Sequence, residues 1–243
     1  MLAIFNKEFN SFFSSAIGYI VVSLFLVSVG SLLWIIPGSY NILDFGYANL
    51  VPFFEILPLV FAFLIPAVCM RSFSEEKKQG TMELLLTKPI RTKQIVIAKF
   101  LGCFCVALIA ILPTFFYLLS ISKLAAEDVS LDYGVIFSSY LGTILLLACY
   151  TAIGIFASSL SNNQIVAFIT GTAINLFLFF GWDSLNSIAF GNSQVYALDY
   201  LGIHYHFKSI TRGILDTRDI IYFLSISVLF LILTGLQLKR LSE

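Results

Sequence analysis

Of the chain's 243 residues, 59% are hydrophobic and only 12% are charged, with 14 basic side chains against 14 acidic ones. Together with a mean hydropathy of +0.94, this composition excludes a soluble globular protein and points to an all-α, polytopic membrane protein. The zero net charge hides a strong asymmetry along the chain, and no basic patch with interleaved aromatics is present to engage nucleic acid.

Residues 1–13 carry apolar side chains at Leu2, Phe5, Phe9 and Phe12, three or four apart, with Asn6, Lys7, Glu8 and Asn10 between them. The pattern predicts an interfacial helix on the cytoplasmic leaflet; the alternative is an early start to the first span. Residues 17–36 form that span, since about 20 apolar residues at ~1.5 Å each match a hydrocarbon core of ~30 Å. Pro37-Gly38 stops it. Its length also argues against a cleaved signal peptide.

The second span, 51–70, contains Pro52, Pro58 and Pro66, so kinks are expected where proline removes a backbone donor. Glu55 is the one acidic residue well inside an apolar run and sits about one turn from its outer end, so it either snorkels to the headgroups or lines a water-filled mouth of a pathway. Spans at 95–120 and 135–158 follow. Ser138, Gly142, Gly154 and Ser158 of the fourth span have the small-xxx-small spacing that permits close helix packing. A turn at Ser161-Asn-Asn163 leads to the fifth span, 164–180, whose Thr170, Gly171, Thr172 and Asn175 should face protein. Residues 181–219 form an outer region with short helices expected between Ala197 and Leu215, and 220–238 is the sixth span, ending at Lys239-Arg240. The whole reads as one transmembrane domain over 1–243.

Lysine and arginine set the orientation. With the N-terminus inside, Lys7, the seven from Arg71 to Lys99, Lys239 and Arg240 make ten inside, against four outside, namely Lys123, Lys208, Arg212 and Arg218. This bias predicts both termini in the cytoplasm.

Residues 71–94 are the segment that most clearly faces cytoplasm. Gly80 interrupts a charged stretch, Thr81 can N-cap a short helix with Glu83 in its first turn, and Pro89 ends it. Met82, Leu85 and Leu86 fall on one face of a helix too short to be stable alone, so the helix needs a surface to dock into. The alternative is a solvated loop.

The run from Pro66 through Met70-Arg71-Ser-Phe-Ser-Glu-Glu and Gly80-Thr-Met-Glu-Leu-Leu-Leu-Thr-Lys-Pro to Ile90, with Ile95 to Lys99 opening the next span, resembles the signature of ABC-2 type permease subunits. With the Ile-His-Tyr-His-Phe and Arg212-Gly-Ile-Leu-Asp216 segments, it is most similar to the gliding-motility-associated permeases of that family. The resemblance implies a bacterial inner-membrane permease, exporter-type, whose coupling helix engages a separate ABC ATPase that binds the ATP. Glu75, Glu76, Gly80, Thr81, Glu83, Leu84, Leu85 and Pro89 match the motif, and Met82, Leu85 and Leu86 would enter a groove on the ATPase. It also implies a second permease copy or a related accessory membrane subunit. The competing reading is a non-transporting scaffold or assembly subunit.

Catalytic signatures are missing: no G-x-x-x-x-G-K-[ST], H-E-x-x-H or G-x-S-x-G occurs, so the chain is not expected to be an enzyme or to carry a cofactor. His204 and His206 are the only histidines; without a third ligand they read as hydrogen-bonded and not as a metal site. Cys69, Cys103, Cys105 and Cys149 lie in or beside apolar runs and read as structural thiols.

Overall fold

A computed structural model describes residues 1–45, 49–86, 90–125, 131–190 and 199–240, and every regular element among them is helical. In chain order these are α1 (Leu2–Phe13), α2 (Ala16–Trp34), α3 (Ile42–Phe45), α4 (Val51–Cys69), α5 (Arg71–Lys78) and α6 (Thr81–Leu86). There follow α7 (Thr92–Ile111), α8 (Phe115–Leu124), α9 (Tyr133–Leu160), α10 (Gln164–Leu176), α11 (Trp182–Phe190), α12 (Ile203–Thr211) and α13 (Thr217–Arg240). Five helical runs are long and apolar enough to cross a bilayer, and a sixth is counted when α1 and α2 are taken together across their 64° bend. The bend separates α1 from α2 as a helix of its own, and α1 packs against both α7 and α2.

Helix α9 is the centre of the bundle, packed by α4, α7, α10, α12 and α13. Its small residues make this possible, because little hydrophobic driving force exists between helices in lipid and close backbone approach supplies the attraction instead. A Cβ at Gly142 would lie 2.8 Å from the Ile210 Cγ2 of α12, and one at Gly154 would lie 2.8 Å from the Cys69 Cβ of α4. Gly171 of α10 likewise accepts Pro66 and Ala157 at 3.2 and 3.3 Å. Thr172 and Asn175 are buried as expected, whereas Thr170 is half-buried and turns its hydroxyl back to the Val166 carbonyl.

Several boundaries differ from the expected ones. The second span does not end at Met70: helix continues through α5, making a run of 28 residues from Val51 to Lys78. The third span is longer at both ends than 95–120, running from Thr92 to Leu124, with Pro113 in a 3-10 turn, Leu112–Thr114, where a missing N–H is tolerated. The fifth span runs beyond Phe180 through a π turn, Phe177–Gly181, to Asn186. Near its end the Asp183 carboxylate meets His204 of α12.

The packing makes a direct prediction. Gly154→Val should destabilise the bundle by about 1–3 kcal/mol through overpacking against α4. Gly235→Ala on α13, where an added Cβ meets nothing within 4 Å, should leave thermal unfolding in detergent unchanged.

Candidate functional site

The segment expected to couple the chain to a partner is tied to the bundle by its own charged and hydroxyl groups. Helix α5 begins where the α4 ladder is interrupted. In an unbroken helix the Ser74 N–H would bond the Met70 carbonyl; here the Ser158 hydroxyl of α9 stands between them. Its oxygen accepts from the Phe73 N–H at 3.0 Å and the Ser74 N–H at 3.2 Å, and it donates to the Met70 carbonyl at 2.9 Å. A side chain inserted into the ladder is a recognised cause of a helix break, and Ser158 at the same time caps donors that α5 could not satisfy alone. Lys77, at the other end of α5, donates to the Ser159 carbonyl of the same α9 terminus.

Behind α5 lies a buried cation. Lys99 of α7 is 0% exposed; its ammonium group donates to Glu8 of α1 and to the Ser72 carbonyl of α5 at 2.5 Å, and forms an ion pair with Glu76 Oε2 of α5 at 3.1 Å. The Phe73 ring lies 4.9 Å away and adds a cation–π contact. Glu76 is shared, since its Oε1 accepts from Lys7 of α1 at 2.8 Å. Two lysines and two carboxylates thus close a neutral network over three helices. Gly102, one turn after Lys99, lets α1 come close enough for it: a Cβ there would lie 2.8 Å from the Glu8 Cβ.

Three expectations for this segment change. Helix α1 does not present its polar face only to water, because Lys7 and Glu8 are its ties to α5 and α7; of its apolar residues Ile4 is the buried one, while Leu2 is 77% exposed. Glu76 does not face outward toward a partner, being buried and held by Lys7 and Lys99. Met82 is 5% exposed and belongs to the chain's own core, so it is not free to enter another protein.

Thr81 is also placed differently. Gly80 has φ +69°, the left-handed conformation that ends α5 and that glycine adopts without strain. The reversal makes Thr81 the first helical residue of α6, and its hydroxyl donates to the Glu76 carbonyl at 3.3 Å instead of capping its own helix. Glu75 pairs along the helix with Arg71 at 3.1 Å, and Glu83 is exposed. Leu84, Leu85 and Leu86 complete α6, but their side chains, like Pro89, lie outside the described residues.

At the opposite end of the bundle, Glu55 is exposed and lines a cavity of ≈ 580 Å³ between α4, α9 and α12. The histidines beside it are hydrogen-bonded from a helix. His206 Nδ1 lies 2.6 Å from Asp219 Oδ1 and its Nε2 lies 2.9 Å from the Tyr200 carbonyl. His206 also stacks on Tyr222 at 3.9 Å, so it fastens α12 to α13. Among the described residues no cluster of metal-ligating side chains forms.

A family model described as "ABC-2 family transporter protein" matches residues 2–240. The chain therefore belongs to the ABC-2 transporter family, as a membrane-spanning permease that works with an ABC ATPase subunit. No curated protein matches it.

Sequence reasoning assigned no role to Lys99 beyond a cytoplasmic charge or to Ser158 beyond small size. The available signal for Lys99 was a lysine opening an apolar run with two glutamates elsewhere near the same membrane face. Replacing Lys99 by Met should destabilise the protein by about 3–5 kcal/mol, because the half-buried Glu8 loses its cation and the buried Glu76 keeps only Lys7. Adding Glu8→Gln and Glu76→Gln should recover most of the loss in thermal unfolding; a triple variant no better than Lys99→Met would contradict the network.

Proposed function

We infer that the chain is the permease half of an exporter-type transporter associated with gliding motility, in a bacterial inner membrane with both termini and Gly80 in the cytoplasm. The observation that carries the coupling role is the attachment of α5: it is held to α9 through Ser158 and Ser159, to α7 through Lys99 and to α1 through Lys7. A force on α6 would therefore reach three other helices without passing through lipid. Strings of discrete polar contacts between rigid helices can carry such a displacement.

The docking surface we place on Glu83, which is exposed, and, from their match to the motif, on Leu84, Leu85, Leu86 and Pro89. The ten-to-four cation bias supports the orientation. Six spans make one membrane half, so a second copy or a related accessory subunit completes the transporter, and the ATPase supplies all nucleotide binding. The gliding-motility assignment rests on the likeness of residues 66–99 and of the segment around His204 to Asp216.

Leu85→Asp places a charge in an apolar contact, where leaving it unpaired costs several kcal/mol. The variant should insert and accumulate normally yet lose ATPase co-purification by at least about tenfold, whereas Leu24→Ala on the exposed face of α2 should retain it. Retained binding and transport in Leu85→Asp would leave α6 as only a solvated connector.

A further inference from the structure

The cavity beside Glu55 has an unusual lining for a membrane protein. Its floor is apolar and well packed, with Phe54, Phe179 and Phe207 at 3–4% exposure. Its rim is ionic. Lys208 and Arg212 are spaced i, i+4 along α12 and its C-terminal cap, so they project from one side of that helix into the cavity, and Glu55 faces it from α4. None of these three side chains has an ion-pair or hydrogen-bond partner among the described residues, and all three are exposed. The fourth charge, Asp132, is already engaged, capping α9 by accepting from the Gly134 and Val135 N–H groups at 3.0 and 3.1 Å. His204 is likewise taken up by Asp183. Two cations and one anion are thus left facing a common space.

The wall of this space runs out onto the lipid-facing surface. Val51, Leu59 and Phe180 line it and are themselves exposed, at 38%, 44% and 41%. From Val51 to Leu59 along α4 the rise is about 12 Å, the depth from a headgroup to the upper part of an acyl chain. Pro58, on the same wall, has no N–H to give the Phe54 carbonyl, which leaves one more acceptor near the rim. A small soluble anion would leave the aromatic floor unused, and a hydrocarbon would leave three rim charges without a partner. Both halves of the lining are satisfied by one kind of molecule.

We propose that this cavity is a binding site for a phospholipid with a zwitterionic, amine-bearing headgroup, of the phosphatidylethanolamine type. Its phosphate sits between Lys208 and Arg212, its ammonium on Glu55, and its upper chain carbons on Phe54 and Phe179. Arginine and lysine differ in how they hold phosphate, the first as a planar fork and the second as a point charge, and a pair of them on one helix face suits a phosphodiester. Glu55 sets the preference for an amine over a neutral or purely anionic headgroup. The site does not depend on the transporter reading, since it requires no ATPase and no turnover.

The test is lipid retention by the purified full-length chain in detergent, without nucleotide or ATPase, measured by native mass spectrometry after equal exposure to phosphatidylethanolamine and phosphatidylglycerol. The wild-type chain should retain phosphatidylethanolamine preferentially. Lys208→Gln with Arg212→Gln should lower retention of both lipids by about tenfold or more, from the loss of two charge-assisted contacts. Lys208→Arg should keep it. Glu55→Gln should abolish the preference while leaving phosphatidylglycerol retention unchanged. Unfolding temperatures measured alongside confirm that these surface variants remain folded. Equal retention of the two lipids by the wild-type chain, or a preference that survives Glu55→Gln, would overturn the assignment. A Lys208→Gln, Arg212→Gln variant that retains both lipids fully would do the same.

Discussion

A lysine ammonium removed from water at the end of a membrane bundle must have its charge balanced by opposite charge, or the helices around it will not stay together. Lys99 meets that requirement with Glu8 and Glu76 from two other helices, donates besides to the Ser72 carbonyl, and the rest of this end of the molecule is arranged around it. Helix α1 must cross α7 closely enough for Glu8 to arrive, which is the use of Gly102. Helix α5 must offer both a carbonyl and a carboxylate, which Ser72 and Glu76 supply one turn apart on the same face. The network is therefore less a source of net stability than a specification of geometry, since an apolar replacement could be equally stable but would not fix α1, α5 and α7 to one another.

The two ends of the molecule share α9 and use it differently. At one end its terminal Ser158 and Ser159 hold α5, and at the other its first residues, capped by Asp132, form a wall of the cavity. Between them Gly142 and Gly154 bring α12 and α4 into contact with it. A tilt of α9 would thus be felt both at the coupling segment and beside Glu55. The His206 contact with Asp219 fastens α12 to α13, so the cavity's basic wall is carried by a rigid pair and not by a loop.

Much of this architecture is legible in the sequence because length and hydropathy act locally: an apolar run of about 20 residues must be helical and must span ~30 Å, whatever its neighbours. The α1 boundaries and the inward small residues of α9 follow from periodicity in the same way. The contacts that define the site do not. Lys99 and Glu8 are 91 residues apart, and a lysine opening an apolar run has the same hydropathy whether it reaches water or turns inward to a carboxylate. Met82 shows the complementary limit, because its place on an apolar stripe says that it will be covered but not by which chain. Ser158 looks like a packing residue, and only the path of α5 past its hydroxyl makes it a cap. The continuation of the second span as α5 was hidden by charge: Arg71, Glu75, Glu76, Lys77 and Lys78 end the apolar run without ending the helix.

Hydrogen exchange tests most directly whether the Lys99 network makes α1 and α5 one mechanical unit, since amides open together only when their helices are released together. In the purified chain, peptides covering residues 2–13 and 71–78 should exchange at matching, slow rates, and Glu76→Gln should accelerate both while leaving residues 140–155 of α9 protected. An α1 that exchanges freely while α5 stays protected, or a Glu76→Gln variant that loosens α5 alone, would contradict it.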